Sequence, residues 1–417
     1  MHILTYLFLF ALACSVFVQI WLARRQIHSV ESHRDSVPDS FRDSISMEQH
    51  AKAADYTITR LRFGYGELVY GTILLLIWTL GGGLELLDNL GRGLGLSTLY
   101  TGTVFILSAI IIMGLLDLPF STYRTFVIEQ RFGFNHSTLR LFIMDHIKQT
   151  GLLIAIGTPL IMLVLWLMDN AGQLWWLYVW VVWFSFSMLM MWAYPVFIAP
   201  IFNKFAPLED SPLRTQIENL LQRTGFRSKG IFVIDGSKRS GHSNAYFTGL
   251  GENKRIVFFD TLMQSLNGDE LESVLAHELG HFKHKHIHKN ILLTAVISLI
   301  GLALLGWLIS KPWFYTALGV QTPSIHVALL LFMIVMPVFT FFLQPVFSYF
   351  MRRHEFEADD FAASQTDPRN LISALVKLYT ENASTLTPDP VYSAFYDSHP
   401  PAPVRISHLT AKMDQVI

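Results

Sequence analysis

A single cysteine, Cys14, is all the chain contains, so no internal disulfide can staple it. Cys14 also lies within an apolar run that offers no polar activator, which makes it a membrane-buried thiol rather than a nucleophile. Charge is scarce as well: 15% of the 417 residues are Asp, Glu, Lys or Arg, and the net charge is −1. That balance provides neither a basic field for nucleic acid nor an acidic tail. Low-complexity tracts and internal repeats are absent too. What the chain has instead is apolar surface, 52% of its residues, which is too much for an ordinary soluble domain.

The apolar residues gather into seven stretches near or above the ~20 residues needed to cross a ~30 Å hydrocarbon core. They run approximately Ile3 to Leu22, Leu68 to Leu87, Leu99 to Phe120, Gly151 to Met168, Leu174 to Phe197, Ile291 to Ile309 and Ile325 to Phe350. The first lacks a basic segment before it and a small-x-small cleavage site after it, so it reads as a retained anchor rather than a signal peptide. Arg24, Arg25 and Arg34 follow the first span, and Arg124, Arg131, Arg140 and Lys148 follow the third, whereas the opposite connections hold little beyond Arg92 and Lys311. The positive-inside rule then puts the amino terminus outside and the segments after spans one, three, five and seven in the cytosol. Asp117, Glu67 and Glu85 lie at or near span ends, where they either meet headgroups or line a hydrated space. Gly81 to Gly83 either permits close packing or breaks the second span, and Pro337 and Pro345 are expected to kink the seventh.

The largest hydrophilic insertion, roughly Asn203 to Lys289, changes from apolar runs to mixed patterning. Gly230 to Ile234 and Arg255 to Phe259 read as short strands, with Asn244 to Phe247 as a candidate third. Asp269-Glu270-Leu271-Glu272 looks like an N-cap with an acid at N3, opening a helix whose buried side is Leu271, Val274, Leu275 and Leu279. That helix carries Ala276-His277-Glu278-Leu279-Gly280-His281. Residues four apart stack one turn above each other, so His277 and His281 can grip one metal ion while Glu278 stands ready to take a proton from water.

A catalytic zinc takes three protein ligands and leaves one position open. The third is sought on another inward segment, in Arg352-Arg353-His354-Glu355-Phe356-Glu357-Ala358-Asp359-Asp360. Glu355 and Asp359 share a helix face, while Glu357 points some 200° away from Glu355 at ~100° per residue. Glu355 is therefore the expected ligand, and Asp359 its neighbour, accepting a hydrogen bond from a ligating imidazole. Taken alone, this run would read as a solvated helix end. His284, His286 and His288 read as membrane-flanking histidines among lysines, with replacement of Glu355 by one of them as the alternative. Both halves of the site sit close to the sixth and seventh spans, which pins the metal near the membrane face.

At this point the residues resemble the integral-membrane zinc metalloproteases typified by the type I CAAX prenyl protease. Besides the zinc helix, the resemblance rests on Tyr123 to Asn135 after the third span and on Tyr194 to Phe205 leading into the insertion. Ser243-Asn244-Ala245-Tyr246-Phe247, Arg353 to Asp359, and Ser398-His399-Pro400-Pro401 with Arg405 complete it. It covers roughly Arg62 to the carboxyl terminus. It implies an α-helical polytopic membrane protein whose seven transmembrane helices enclose a hydrated chamber, with a small α+β, gluzincin-like zinc protease domain on the cytosolic side. The corresponding division is 1–203 for spans one to five, 204–289 for the zinc domain, 290–350 for spans six and seven, and 351–417 for a carboxyl-terminal catalytic segment. It also implies one Zn2+ per chain held by His277, His281 and Glu355, Glu278 as general base, and Asp359 supporting the ligands. His399 resembles the family's oxyanion-stabilising histidine. Arg405 resembles a residue that binds substrate or supports the site. Asn244 and Tyr246, with Ala245 between them, resemble the strand that pairs with extended substrate.

Each of these has a plainer alternative: His399 as a turn residue in a Pro-rich loop, Arg405 as a surface arginine, Asn244 to Phe247 as an ordinary strand. The expected partners are a peptide or protein substrate, isoprenylated in the family, and the lipid bilayer, with no nucleic acid. Two other functions stay open, a quality-control protease for misfolded or stalled membrane proteins and a transporter or scaffold with a structural metal. The carboxyl-terminal end from Lys412 to Ile417 carries no evident retrieval signal. A bacterial inner membrane is therefore favoured over the endoplasmic reticulum.

Overall fold

The computed structural model describes residues 2–248 and 255–414; the last three residues of the carboxyl-terminal end lie outside the described residues. Among the described residues, seven helices are long and apolar enough to cross a membrane: Ile3–Ser32, Met47–Trp78, Thr98–Glu129, Leu139–Asn170, Gly172–Phe202, His286–Leu308 and Ile325–Gln365. Most run well past the apolar stretches that reveal them. The first continues to Ser32, and the second begins at Met47 behind a capping box in which Ser46 and Gln49 satisfy each other's backbone N–H groups.

The second span ends earlier than its hydropathy predicts, at Trp78 rather than near Leu87. Gly82 has a φ of +78°, which only glycine adopts cheaply, and a separate helix, Gly83–Arg92, starts there. The glycines thus break the span. The seventh breaks too, at a short 3-10 turn over Phe341–Leu343, with Pro345 in the first turn of the helix that follows.

Contacts tie the connections together at each end of the helices. Arg25 pairs with Asp389 at 2.9 Å and the Ser29 hydroxyl donates to the Thr387 carbonyl, joining the first connection to the carboxyl-terminal segment. At the other end Glu85 accepts hydrogen bonds from the Gln321 and Thr322 backbone and from the Thr322 hydroxyl, which ties two further connections together. Glu67 is paired with Arg124, and Asp117 is exposed.

One apolar core joins the first, third, fourth and seventh spans through Phe8, Phe105, Leu165 and Leu331. The second and fifth spans contribute little to it: only 6% of each apolar window is buried.

The insertion folds into a four-stranded sheet: β1 (Phe205–Pro207), β2 (Ile231–Ile234), β3 (Ala245–Thr248) and β4 (Arg255–Phe259), in the order β1-β2-β4-β3. β1 was not legible in the sequence, its three residues being too short for alternation to register. β2 and β4 are parallel, and β3 runs antiparallel to β4 with Ala245 opposite Phe258. β3 is therefore an edge strand. Behind the sheet, a second core unites Ile217, Leu220, Ile256, Phe258 and Leu275 with Ala362, Leu371, Leu375 and Leu409. The carboxyl-terminal segment is thus part of the same packed unit as the insertion.

Candidate metal centre and catalytic cleft

The helix that carries the histidine motif spans Gly268–Lys283. Its N-cap is Asn267, with Glu270 at N3 closing a reciprocal capping box, so the cap lies two residues before the one predicted at Asp269. Asn is as good a cap as Asp, and the Glu270 spacing decides the frame. Leu271, Val274, Leu275 and Leu279 are buried as expected. Gly280 permits a close crossing with the seventh-span helix: a Cβ there would come within 2.8 Å of the Ala358 Cα and 3.0 Å of its carbonyl oxygen. That approach sets Glu355 against the two motif histidines.

The donor atoms of His277, His281 and Glu355 lie within 4.8 Å of one another. Nε2 of His277 is 3.2 Å from Nε2 of His281 and 3.4 Å from Glu355 Oε2, and His281 Nε2 is 3.3 Å from Glu355 Oε1. Bonds of about 2.0–2.1 Å to a tetrahedral ion put its donors about 3.3–3.4 Å apart. The separations match. Glu355 is 2% exposed, and its Oε2 has no hydrogen-bond partner, a costly arrangement unless a cation satisfies it. These three residues fit a metal ion.

Each imidazole is held from behind. The Nδ1–H of His277 donates to Asp359 Oδ1 at 2.8 Å, which leaves Nε2 as a lone pair toward the triad. Asp359 is fully buried and receives the Arg405 guanidinium, Nε to Oδ2 at 2.9 Å; Arg405 Nη1 also lies 3.6 Å from Glu355. Arg405 is therefore a buried, paired cation rather than a surface arginine. Burial and Arg405 push the His277 pKa down, but the neighbouring Asp359 and Glu355 carboxylates outweigh both and raise it to about 9. The pocket carries a negative potential that favours a cation.

His281 has an analogous support that sequence reasoning missed. Its Nδ1 lies 3.0 Å from His286 Nδ1, and His286 Nε2 lies 2.9 Å from Glu357 Oε2. With His281 Nε2 turned to the triad, its Nδ1–H donates to His286, whose Nε2–H donates to Glu357. Of the three histidines read as membrane-flanking, His286 is buried, while His284 and His288 are exposed. Lys285, at φ +56°, ends one helix and starts the next, so helical spacing does not carry across it. The signal available in the sequence was that Glu357 points away from Glu355, toward something else.

A cavity of about 270 Å³ opens beside the triad and is lined by Asn244, Ala245, His277, Glu278, His399 and Arg405, among others. Glu278 faces it next to His277. His399 Nε2 lies 3.4 Å from Glu355 Oε1. Its side chain is 63% exposed because it faces the open cleft, yet the surrounding protein thins its solvation and pushes its pKa down, leaving it neutral at pH 7. Asn244 and Ala245 bring the β3 edge to the cavity. Tyr246 alternates to the other face of the strand, where its ring meets Phe259 edge-on.

The segment from Tyr123 to Asn135 docks the spans onto this domain. A π-helical turn, Arg124–Glu129, ends the third span and aims Glu129 at the Tyr56 hydroxyl, 2.7 Å away, with His242 Nε2 at 3.4 Å. Phe134 stacks on His242 with ring centroids 4.2 Å apart. Alongside, Arg239 grips Asp145 with two hydrogen bonds. The Asp145–Arg239 pair, formed over a separation of 94 residues, has no local signature in the sequence.

Seven membrane helices, a two-histidine, one-glutamate donor set, and an acid beside them in a cleft bordered by an edge strand define a membrane-embedded metallopeptidase. Residues 26–204 match the family model described as CAAX prenyl protease N-terminal, five membrane helices, and residues 207–413 match Peptidase family M48. Among similar proteins, CAAX prenyl protease 1 of Saccharomyces cerevisiae is 41% identical over 71% of this chain and 69% of its own length. The CAAX prenyl protease 1 homolog of Arabidopsis thaliana is 36% identical over 89% of both chains, and that of Homo sapiens 31% over 94% of this chain and 93% of its own. The crystal structure of S. mikatae Ste24p superposes with a TM-score of 0.91 at 33% identity, covering 98% of this chain and 99% of that one. The chain belongs to peptidase family M48 and is a multi-pass membrane metalloendopeptidase. These relatives are eukaryotic, and they lend no support to the bacterial membrane favoured from the sequence.

Proposed function

We propose that this protein is a zinc-dependent endopeptidase that cuts near the carboxyl terminus of isoprenylated, CAAX-type peptides at the cytosolic face of its membrane. The observation that carries the reading is the single cavity in which Glu278, the metal-fitting triad and the β3 edge meet, next to the ends of two spans. His277, His281 and Glu355 hold the zinc. Bound there, zinc supplies Lewis acidity, making a water acidic and a carbonyl electrophilic at neutral pH. Glu278 takes the proton of the attacking water and delivers it to the leaving amine nitrogen. Neutral His399 donates a hydrogen bond to the carbonyl oxygen as charge grows on it. Asn244, Ala245 and Tyr246 hold the peptide main chain along the strand edge, which tolerates varied side chains. Asp359, with Arg405 behind it, keeps His277 in its ligating tautomer. Residues 204–289 and 351–417 act as one catalytic unit, carried by spans in 1–203 and 290–350.

Glu278→Ala is the test. The purified variant should bind one zinc per chain and show no hydrolysis of a farnesylated CAAX peptide; turnover by the metal-loaded variant at the wild-type rate would overturn the mechanism. Competition between that peptide and its unlipidated form then settles the substrate class, since indifference to the lipid points to quality control instead.

A further inference from the structure

The side chain of His399 does little to fix its own place. It is 63% exposed, and its polar contacts among the described residues are the neighbouring Ser398 hydroxyl, 3.0 Å from Nδ1, and Glu355. The point from which the ring can reach a substrate is therefore set by the backbone that carries it.

That backbone leaves the helix Pro390–Tyr396, whose last carbonyls find no partner within so short a helix. The helix Gln344–Gln365, which belongs to the seventh span, satisfies them from outside. The Ser348 hydroxyl donates to the Phe395 carbonyl at 2.9 Å, and Nη1 of Arg352 reaches the carbonyls of Ser393, Ala394 and Asp397 at 3.2, 3.0 and 2.9 Å. Arg352 lies about one turn before Glu355, so a single turn of helix presents both the third metal donor and the anchor of the loop. The first span holds the other end of the short helix: Asp389 caps the Val391 and Tyr392 N–H groups and accepts two hydrogen bonds from Arg25. Beyond His399, Pro400 and Pro401 have fixed φ, and buried Ala402 donates its N–H to the Tyr379 hydroxyl at 2.9 Å. Residues 398 to 401 are thus suspended between an anchor at Arg352 and one at Tyr379.

We propose that Arg352 is a positioning residue for His399, fixing the start of its loop so that the imidazole stands where negative charge develops on the substrate carbonyl, with Tyr379 holding the far end. This rests on the oxyanion role given to His399 above and deepens it. A donor aimed at a developing oxyanion is worth about 10²–10³ in rate, and a misplacement of about 1 Å can forfeit a hundredfold. Arg352 itself stands outside the catalytic cavity. Its loss should slow the chemical step and leave zinc and substrate binding as they were.

The test is a double-mutant cycle on Arg352→Met, which keeps most of the side-chain volume and removes the donors, and His399→Ala. Single-turnover cleavage of a farnesylated CAAX peptide reads chemistry apart from product release. Arg352→Met should lower the maximal rate about ten- to a hundredfold at unchanged half-saturation and unchanged zinc affinity, and Arg352→Lys should recover part of the loss. In the His399→Ala background the same substitution should cost less than about twofold, because residues that act through one another are not additive. A purely structural role for Arg352 predicts equal losses in both backgrounds. A wild-type rate in Arg352→Met, an equal loss with and without His399, or a parallel fall in zinc affinity overturns the proposal. Should Arg352→Met fail to accumulate, Tyr379→Phe removes the other anchor and enters the same cycle, with a loss of a few-fold expected only when His399 is present. Failure of the underlying reading looks different: His399→Ala at the wild-type rate refutes the oxyanion role and this proposal with it, whereas a slow His399→Ala beside an unimpaired Arg352→Met refutes the proposal alone.

Discussion

Asp359→Asn tests the support of the metal centre most directly, because the change is isosteric. Asp359 is fully buried, and its two oxygens receive His277 Nδ1–H and the Arg405 guanidinium. Asparagine keeps one oxygen and turns an NH2 toward the other partner, so one donor meets a donor and the arginine charge loses its counterion. Breaking a buried pair by removing one member costs about 3–5 kcal/mol. Glu355, 3.6 Å from Arg405, supplies some compensation, which favours the lower end of that range. Separately, an imidazole that loses its rear partner binds metal about 10–100-fold less tightly. The two effects come apart in a double substitution: Asp359→Leu with Arg405→Met removes both charges, so metal-free stability should recover while metal affinity does not. Zinc dissociation constants from competition with a chromophoric chelator, and melting temperatures of the metal-free proteins in detergent, are the measurements. Unfolding of a seven-span protein is not two-state, so melting shifts are compared in direction rather than converted to free energies. Wild-type zinc affinity in Asp359→Asn would refute the argument.

Three other outcomes follow from particular contacts. His286→Phe keeps the ring that stacks on His354 but loses the hydrogen bonds to His281 and Glu357, so zinc affinity should fall about tenfold with little change in helix content. Gly280→Ala pushes a methyl into the Ala358 backbone, which cannot yield as a side chain would; a cost of about 1–3 kcal/mol should appear as a lower melting temperature together with weaker zinc binding. Glu270 is 2% exposed: burial raises its pKa, but hydrogen bonds from Lys377 and Ser373 prevail and hold it below the usual carboxylate range. A depressed pKa contributes stability above the unfolded value of about 4.3 and loses it as pH falls through the folded value. The melting deficit of Glu270→Gln should therefore be full at pH 7 and shrink below about pH 4.

Much of the site was legible because its signals are local. The four-residue spacing of His277 and His281 is a statement about one helical turn, and the shared face of Glu355 and Asp359 is another. Where a prediction slipped, a backbone event intervened that spacing does not reveal. The N-cap moved from Asp269 to Asn267 because Glu270, rather than Glu272, closes the box. Helical phase was lost at Lys285, which turned His286 inward and left His284 and His288 outside. The end of the second span moved back to Trp78 because Gly82 could take a left-handed conformation, which hydropathy does not register.

By itself the sequence determined the number of spans, the two motif histidines with their neighbouring acid, and Glu355 as the residue that would join them. All of these follow from composition and from periodicity within single elements. Only the tertiary structure decided that Arg405 is buried against Asp359, that His286 and Glu357 stand behind His281, and that β3 lies at an edge of its sheet beside the catalytic cavity. Each of those depends on which distant segments meet, and pairing between elements separated by tens to hundreds of residues is fixed by packing, not by any pattern within the elements themselves.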